Sequence, residues 1–373
     1  MAKAKAGKLS PKDLLGKINK IAGRDVAHSL EGSNPTDVTD WIPTGAKWLD
    51  AIICKGKWGG IPVGKITEIA GLEATGKSFL AAQVCANAQK KGILPIYFDS
   101  ESAIDSNFLV KSGVDIAEDK FIYVQAHSVE FVLEVMEQLM SEYEDRLLFV
   151  WDSLAFTPAV SDVEGDFNPQ SSMAMKARIL AKAVSKLAIP IADKKATWLV
   201  LNQLKANITR SPAEAMTTPY ITPGGKAMSY AYSLRIWLTG RKAKASYVVA
   251  DNGYRVGSEV KAKIEKSRFG TQGRLCNFKI LWGTDPVGVQ DEESWFDALS
   301  KTTVFSGGGG GWYNFEIDGY TKRFRSSEWV NLLREDEDFR TNVLKAMEQE
   351  VIEKFSNQEG NASDFYETDD EAA

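Results

Sequence analysis

Gly71-Leu72-Glu73-Ala74-Thr75-Gly76-Lys77-Ser78 sets four residues between two glycines and follows them with a lysine and a hydroxyl. That spacing suits a polyphosphate. The glycines let backbone N–H groups curl around an anion, a helix starting at the loop adds its dipole, Lys77 reaches the β- and γ-phosphates, and Ser78 ligates Mg2+. Phe79 is the next residue of the same site. The metal's water shell needs a second carboxylate, and Leu147–Asp152 reads as a buried strand ending in one. Hydrolysis also needs a base that orients water. Phe98-Asp99-Ser100-Glu101 ends a further strand, and Glu101 is the better candidate because it falls just past the strand end, whereas Asp99 can be buried.

These residues work only if several strand ends are brought side by side, as in open parallel sheets whose ligands sit at the carboxyl ends. The pattern supplies such a scaffold. Strands are predicted at Lys65–Ala70, Leu94–Asp99 and Leu147–Asp152, alternating with helices at Lys77–Lys91 and Ser128–Tyr143. The alternation predicts an α/β fold with a mainly parallel central sheet flanked by helices. Met173–Lys194 reads as a long helix containing Pro190, and Thr197–Gln203 as a strand. Lys205–Pro223 is polar, carries three prolines and has no clear periodicity, which marks a functional loop. Leu234–Leu238, Glu259–Glu265 and Asn277–Trp282 read as strands, with a turn at Asp251-Asn252-Gly253.

The two ends differ from this core. Ser10-Pro11 looks like a helix start, and Leu14, Leu15, Ile18 and Ile21 recur on one face of a basic helix that must dock on its own core or on a neighbouring subunit. Gly32–Pro35 reads as a linker. After about Pro286 come a five-glycine run at Gly307–Gly311, a hairpin of Trp312–Ile317 and Tyr320–Arg325 over Asp318-Gly319, and a helix over Val330–Phe355, together a small α+β domain. The glycine run is expected to be a flexible hinge of that domain. The resulting division is an arm over 1–35, a core over 36–288, a C-terminal domain over 289–357 and an acidic disordered tail over 358–373.

The 373 residues are 44% hydrophobic and 25% charged, which excludes collagen-like, disordered and membrane classes. No apolar run is long enough to span a bilayer, and the basic start lacks a signal peptide's apolar stretch, so an intracellular protein is expected. Three cysteines and two histidines assemble neither a disulfide framework nor a zinc site. A net charge of −5 argues at face value against nucleic acid, but it is uneven: Val330–Ala373 holds 13 acidic and 4 basic residues, leaving 41 basic against 37 acidic elsewhere.

Gly60–Gly71 with its phosphate loop, Phe98–Glu101, Gly113-Val114-Asp115, Trp151-Asp152-Ser153, Leu201-Asn202-Gln203 and Thr222–Gly225, in that order, resemble RecA-type recombinases over about residues 36–288. Glu265-Lys266-Ser267-Arg268, Gly311-Trp312-Tyr313 and the acidic C-terminus look closest to phage recombinases of the UvsX kind. The resemblance implies that Glu101 is catalytic, that Phe108 stacks on adenine with Asp105 nearby, and that Gln203 senses the γ-phosphate. It implies that Lys266 and Arg268 reach ATP across a subunit interface, as an arginine finger does in trans. It further implies DNA loops at about 156–170 and 205–223. Met173 and Ile208 would wedge between bases, Arg178, Lys205, Arg210 and Lys226 would contact phosphates, and Gly224 and Gly225 would form an anion nest. The activity implied is a DNA-dependent ATPase that uses ATP and Mg2+ to polymerise on single-stranded DNA and exchange strands with homologous duplex. Its partners would be further copies of itself, a single-strand-binding protein and a loading mediator, in the cytoplasm of a phage-infected host. A RecA-fold ring helicase and a non-catalytic ATP-gated filament are the competing readings.

Overall fold

The computed structural model describes residues 9–31, 37–164, 173–208, 219–240, 246–283 and 287–354, and leaves the side chains of 173 and 174 undescribed. The chain forms two units, divided between Thr39 and Asp40.

The first unit holds helix α1 (Pro11–Ala22). Its start follows the chemistry expected of Ser10-Pro11. The Ser10 hydroxyl accepts the Asp13 N–H at 3.2 Å while the Asp13 carboxylate accepts the Ser10 N–H at 3.0 Å, which satisfies two donors that a helix start leaves unpaired. Gly23, at φ 69°, ends it. The Asn19 side chain then holds the chain that follows, accepting the N–H groups of Val26 and Ala27. Leu14, Ile18 and Ile21 are exposed and Leu15 is half-buried.

The second unit begins with a short antiparallel pair, β1 (Trp41–Ile42) and β2 (Ile61–Pro62), around helix α2 (Lys47–Ile53). The first half of the main sheet then follows in α/β order. β3 (Ile66–Gly71), α3 (Lys77–Gln89), β4 (Leu94–Asp99), α4 (Ser106–Lys111), β5 (Ile122–Gln125), α5 (Val129–Glu142) and β6 (Leu147–Asp152) lead through α6 (Val160–Glu164) and α7 (Met173–Asp193) to β7 (Thr197–Gln203). A two-stranded ribbon, β8 (Lys205–Ala206) with β9 (Tyr220–Ile221), precedes α8 (Gly225–Ala231) and β10 (Leu234–Thr239). The sheet ends in β11 (Tyr247–Val249), β12 (Arg255–Ser267), β13 (Leu275–Leu281) and β14 (Gly288–Gln290). Its strand order is β14-β13-β12-β10-β3-β7-β6-β4-β5, with β11 paired to β12. Pairing is parallel from β10 to β5 and antiparallel from β10 to β14.

Alternation along buried strands sends Val150 and Leu199 to one face, against Leu80, Val84 and Cys85 of α3. Phe149, Trp151 and Trp198 go to the other, against Met136 of α5 and Leu180 and Leu187 of α7. Each central strand is therefore apolar on both sides, which is why the strands read as continuous apolar runs.

Beyond β14, α9 (Glu292–Leu299), the antiparallel sheet β15 (Phe305–Gly307), β16 (Trp312–Ile317) and β17 (Tyr320–Arg325), α10 (Trp329–Glu335) and α11 (Glu337–Ala346) enclose a separate aromatic core of Trp295, Phe315, Phe324, Trp329 and Phe339. Two buried carboxylates sit where this core meets α2. Asp291 accepts the Trp48 N–H at 2.8 Å, and Asp50 accepts the Thr44 N–H and hydroxyl. Burial pushes Asp291 up to about 6 and Asp50 up to about 7.

Two expectations change here. The helix over Val330–Phe355 is broken at Asp336, which leaves helical geometry (φ −100°, ψ 103°) and caps α11 by accepting the Phe339 N–H, and Met347–Glu353 continues as a π-helical segment. An aspartate's side chain competes with the helix for backbone donors, and here it wins. The glycine run is a reverse turn inside the small sheet, and not a hinge of the domain: Gly307 pairs with Tyr313 and the Gly308 N–H bonds the Trp312 carbonyl at 2.6 Å. Gly307, Gly308, Gly310 and Gly311 all take positive φ, which accounts for so many glycines together.

Candidate functional site

A cavity of about 670 Å3 opens at the carboxyl ends of the parallel strands, within the size range of small-molecule sites. It is lined by the loop Gly71–Phe79 apart from Leu72, and by Glu101, Phe108, Asp152 and Gln203. The sheet explains the meeting. β3 delivers the loop, β7 beside it ends at Gln203 in register with Gly71, β6 ends at Asp152, and β4 ends at Asp99, in register with Asp152.

The loop is built for a close ligand. Gly76 has φ 80°, and a Cβ there would lie 2.1 Å from Cδ1 of Ile280 on β13. Thr75 is buried and donates its hydroxyl to the Leu72 carbonyl at 2.8 Å. Lys77 Nζ folds over the loop onto the carbonyls of Leu72 (2.9 Å) and Gly71 (3.3 Å). Burial lowers the Lys77 pKa, opposed by Asp152, Glu101 and Glu73. A cation half-withdrawn from water inside a ring of backbone is poised for an anion. Ser78 donates to Asp152 at 2.8 Å, and Tyr97 donates to the same carboxylate oxygen at 2.7 Å. Burial raises Asp152 above the ordinary carboxylate range, while these two donors pull it down. The hydroxyl and carboxylate thus stand together where a hard cation takes oxygen ligands.

Glu101 is exposed to the cavity and oriented by its neighbours. Ser153 Oγ donates to Glu101 Oε1 at 2.6 Å, and the Asp152–Ser153 peptide is cis. Asp99 is only 2% exposed, and its two oxygens accept the N–H groups of Glu101, Ser102, Ala103 and Ile104 and the Tyr123 hydroxyl. It moulds the turn that presents Glu101. Phe108 meets Phe79 edge to face at 4.7 Å on the cavity wall. Asp105 caps α4 through the Asn107 N–H and is not among the lining residues.

Lys266 and Arg268 lie elsewhere. They cap the end of α8, donating to the Ser229 and Tyr230 carbonyls. Lys266 is eight residues along β12 from the cavity residue Ser258, roughly 26 Å of extended strand. The remaining expected residues form an exposed face. Lys205 starts the ribbon, Ile208 is 97% exposed, and Arg178 and Lys226 are exposed on α7 and α8. Gly224 and Gly225 take φ 113° and 79° at the start of α8, with Gly225 facing Ala177 of α7. Met173 is the first residue of α7, its side chain outside the described residues, as are Arg210, residues 165–170 of the first loop, 209–218 of the second and the tail.

Several contributors escape the sequence reading. Ser258, Val260, Ile280 and Trp282 enter the cavity from the antiparallel half of the sheet, which no motif announces. A buried network has a visible signal: Glu68, Asn202 and Arg235 are polar interruptions of apolar strands. Glu68 accepts from Asn202 Nδ2 at 2.9 Å and from Arg235 Nε at 2.6 Å, Asn202 also donates to the Pro223 carbonyl, and Arg235 donates to the Thr222 hydroxyl. The strand before the phosphate loop, the strand before Gln203 and the far end of the second loop are thereby bonded together.

A central β3 followed by a phosphate loop, an acidic strand end beside the loop's serine and a second carboxylate one strand further out define an α/β P-loop protein with the RecA architecture. Residues 11–287 match the RecA N-terminal domain family, and the chain belongs to it. It is 30% identical to Protein RecA of Bifidobacterium breve over 304 residues, 82% of this chain and 72% of that protein. To Protein RecA of Streptomyces avermitilis it is 27% identical over 337 residues, 90% of this chain and 83% of that one. No helix among the described residues is long and apolar enough to cross a membrane.

Proposed function

We propose that this RecA-family protein is a DNA-dependent ATPase that polymerises on single-stranded DNA and exchanges strands with homologous duplex. The observation that carries the reading is Glu101 held by Ser153 in the same cavity as the phosphate loop and Gln203. Glu101 draws a proton from the attacking water, Lys77 and the loop N–H groups hold the phosphates, and Ser78 and Asp152 hold a magnesium ion. When bound, that ion neutralises charge on the phosphate oxygens. Lys266 and Arg268 act on the ATP of a neighbouring copy, which makes hydrolysis depend on assembly. Gln203 reports the nucleotide to the second loop through the ribbon that follows it. DNA-binding residues are Met173, Arg178, Lys205, Ile208, Arg210, Gly224, Gly225 and Lys226, and sequence is read by base pairing. The Glu265–Arg268 run and the Trp312 region support kinship with phage recombinases of the UvsX kind. The exposed apolar side chains Leu14, Ile18 and Ile21 of α1 support docking of the arm on a second copy.

The test is DNA-stimulated hydrolysis with joint-molecule formation, in wild type and in Glu101→Ala. Persistence of stimulated hydrolysis in the variant removes Glu101 from its role. Unwinding of a forked duplex without joint molecules favours a helicase, and electron microscopy with a non-hydrolysable ATP analogue separates filaments from rings.

A further inference from the structure

Lys176, in the first turns of α7, donates from one ammonium to three carbonyls: Thr157 at 2.6 Å, Leu154 at 2.7 Å and Ala155 at 3.4 Å. The clasped segment follows directly on Ser153, the residue bonded to Glu101. The same segment is anchored from two other sides. The Leu154 N–H bonds the Leu201 carbonyl on β7, and a Cβ on Gly224 would lie 3.0 Å from Leu154 Cδ2. Inside the clasp, Phe156 is 62% exposed, and Val163 on α6 is 61% exposed. An apolar ring held outward between gripped carbonyls is a contact surface on a fixed base.

We propose that Lys176 is a positioning residue for the DNA-stimulated part of ATP hydrolysis: by holding Leu154–Thr157 it lets nucleic acid bound along Phe156–Glu164 tighten the alignment of Ser153 and Glu101, a route separate from Gln203. The proposal rests on the DNA-dependent ATPase reading above. An ammonium has three protons for the three carbonyls, so a neutral amine, with two, leaves one acceptor unpaired in part-buried surroundings, and methionine leaves all three. Burial brings Lys176 down to about 8, with Asp162 on α6 favouring its proton and Lys205 on β8 opposing it. The clasp is therefore intact below about pH 8 and loosens above.

The test measures ATP hydrolysis by the full chain, without DNA and with saturating poly-dT single strand, from about pH 7 to about pH 9.5. In wild type the stimulated rate falls through about pH 8 while the DNA-free rate holds. Lys176→Arg, which keeps its charge throughout, flattens that fall. Lys176→Met at pH 7 loses about tenfold of the stimulation with its DNA-free rate within about twofold, the loss expected for hydrogen bonds to a charged group. Ser153→Ala lowers stimulation comparably, and the double variant loses no more than the worse single one. Stimulation untouched in both lysine variants overturns the proposal, as does an equal loss of both rates in the methionine variant. If that variant fails to fold, the wild-type and arginine pH profiles still decide. A wild type that gains nothing from DNA overturns the function reading itself.

Discussion

The cavity and the exposed face beside it use polar residues in opposite ways. In and beneath the cavity the carboxylates are held by hydrogen bonds: Asp99 fixes four N–H groups, Asp152 takes two hydroxyls, and Ser153 holds Glu101. On the other face Lys205, Ile208, Arg178 and Lys226 stand out into solvent. Bond-breaking needs groups held to within a fraction of an ångström, so the surrounding shell is rigid. Gripping a polymer of any sequence needs many weak contacts repeated along a lattice, and individual precision adds little.

Substitutions should expose that contrast. Glu101→Gln should lower the turnover of ATP about 10^2-fold or more while nucleotide affinity changes little, read from turnover and from binding of a fluorescent ATP analogue. Asp99→Asn removes the charge that gathers four N–H groups, and should reduce turnover about tenfold and lower the melting temperature by several degrees. If instead it behaves like a surface change, the rigid-shell half of the contrast fails. Lys205→Ala and Lys226→Ala should each weaken single-strand binding only about two- to threefold, with the slope of log affinity against log salt falling by about 0.7 apiece. A single substitution that abolished binding would place a precise contact on the exposed face.

The smallest effect concerns Asp50, buried like Asp99 but remote from the cavity. Its folded-state pKa, about 7, lies above the ordinary 3.8, so its contribution to stability is complete at low pH and is lost as pH rises through about 7. Asp50→Asn should remove that loss, raising the melting temperature by a few degrees at pH 8 relative to wild type and less at pH 5, with hydrolysis unchanged. Altered hydrolysis would mean that burial of a carboxylate here serves the chemistry wherever it occurs.

What could be read in advance follows how local each constraint is. The bounds of β4, β6, β7, β16 and β17 are as expected, because apolar runs closed by aspartate or by a glycine turn are written in adjacent residues. Glu101 was reachable from its place after a strand end. Trp282 and Ile280 were not, since their entry into the cavity depends on antiparallel strands folding back beside β10. The β8–β9 ribbon also escaped, because two residues per strand carry no periodicity. Lys176 carries no signal in the sequence, because the three carbonyls around it come from the segment after β6.

The place of β3 has a consequence for how the protein comes into being. Its two neighbours, β7 and β10, begin at residues 197 and 234, so the strand carrying the phosphate loop is synthesised long before either side can be covered. At about 5–20 residues per second the nascent chain spends roughly 10–30 s between emergence of β3 and completion of β10. Throughout that interval β3 is an unpaired apolar edge, the kind that seeds aggregation. Nucleotide cannot rescue it, for the cavity's walls arrive later still with β12 and β13. A ribosome stalled before residue 234 should therefore present a chaperone substrate, whereas one stalled far enough along for β13 to have left the exit tunnel should present a protein that already binds nucleotide.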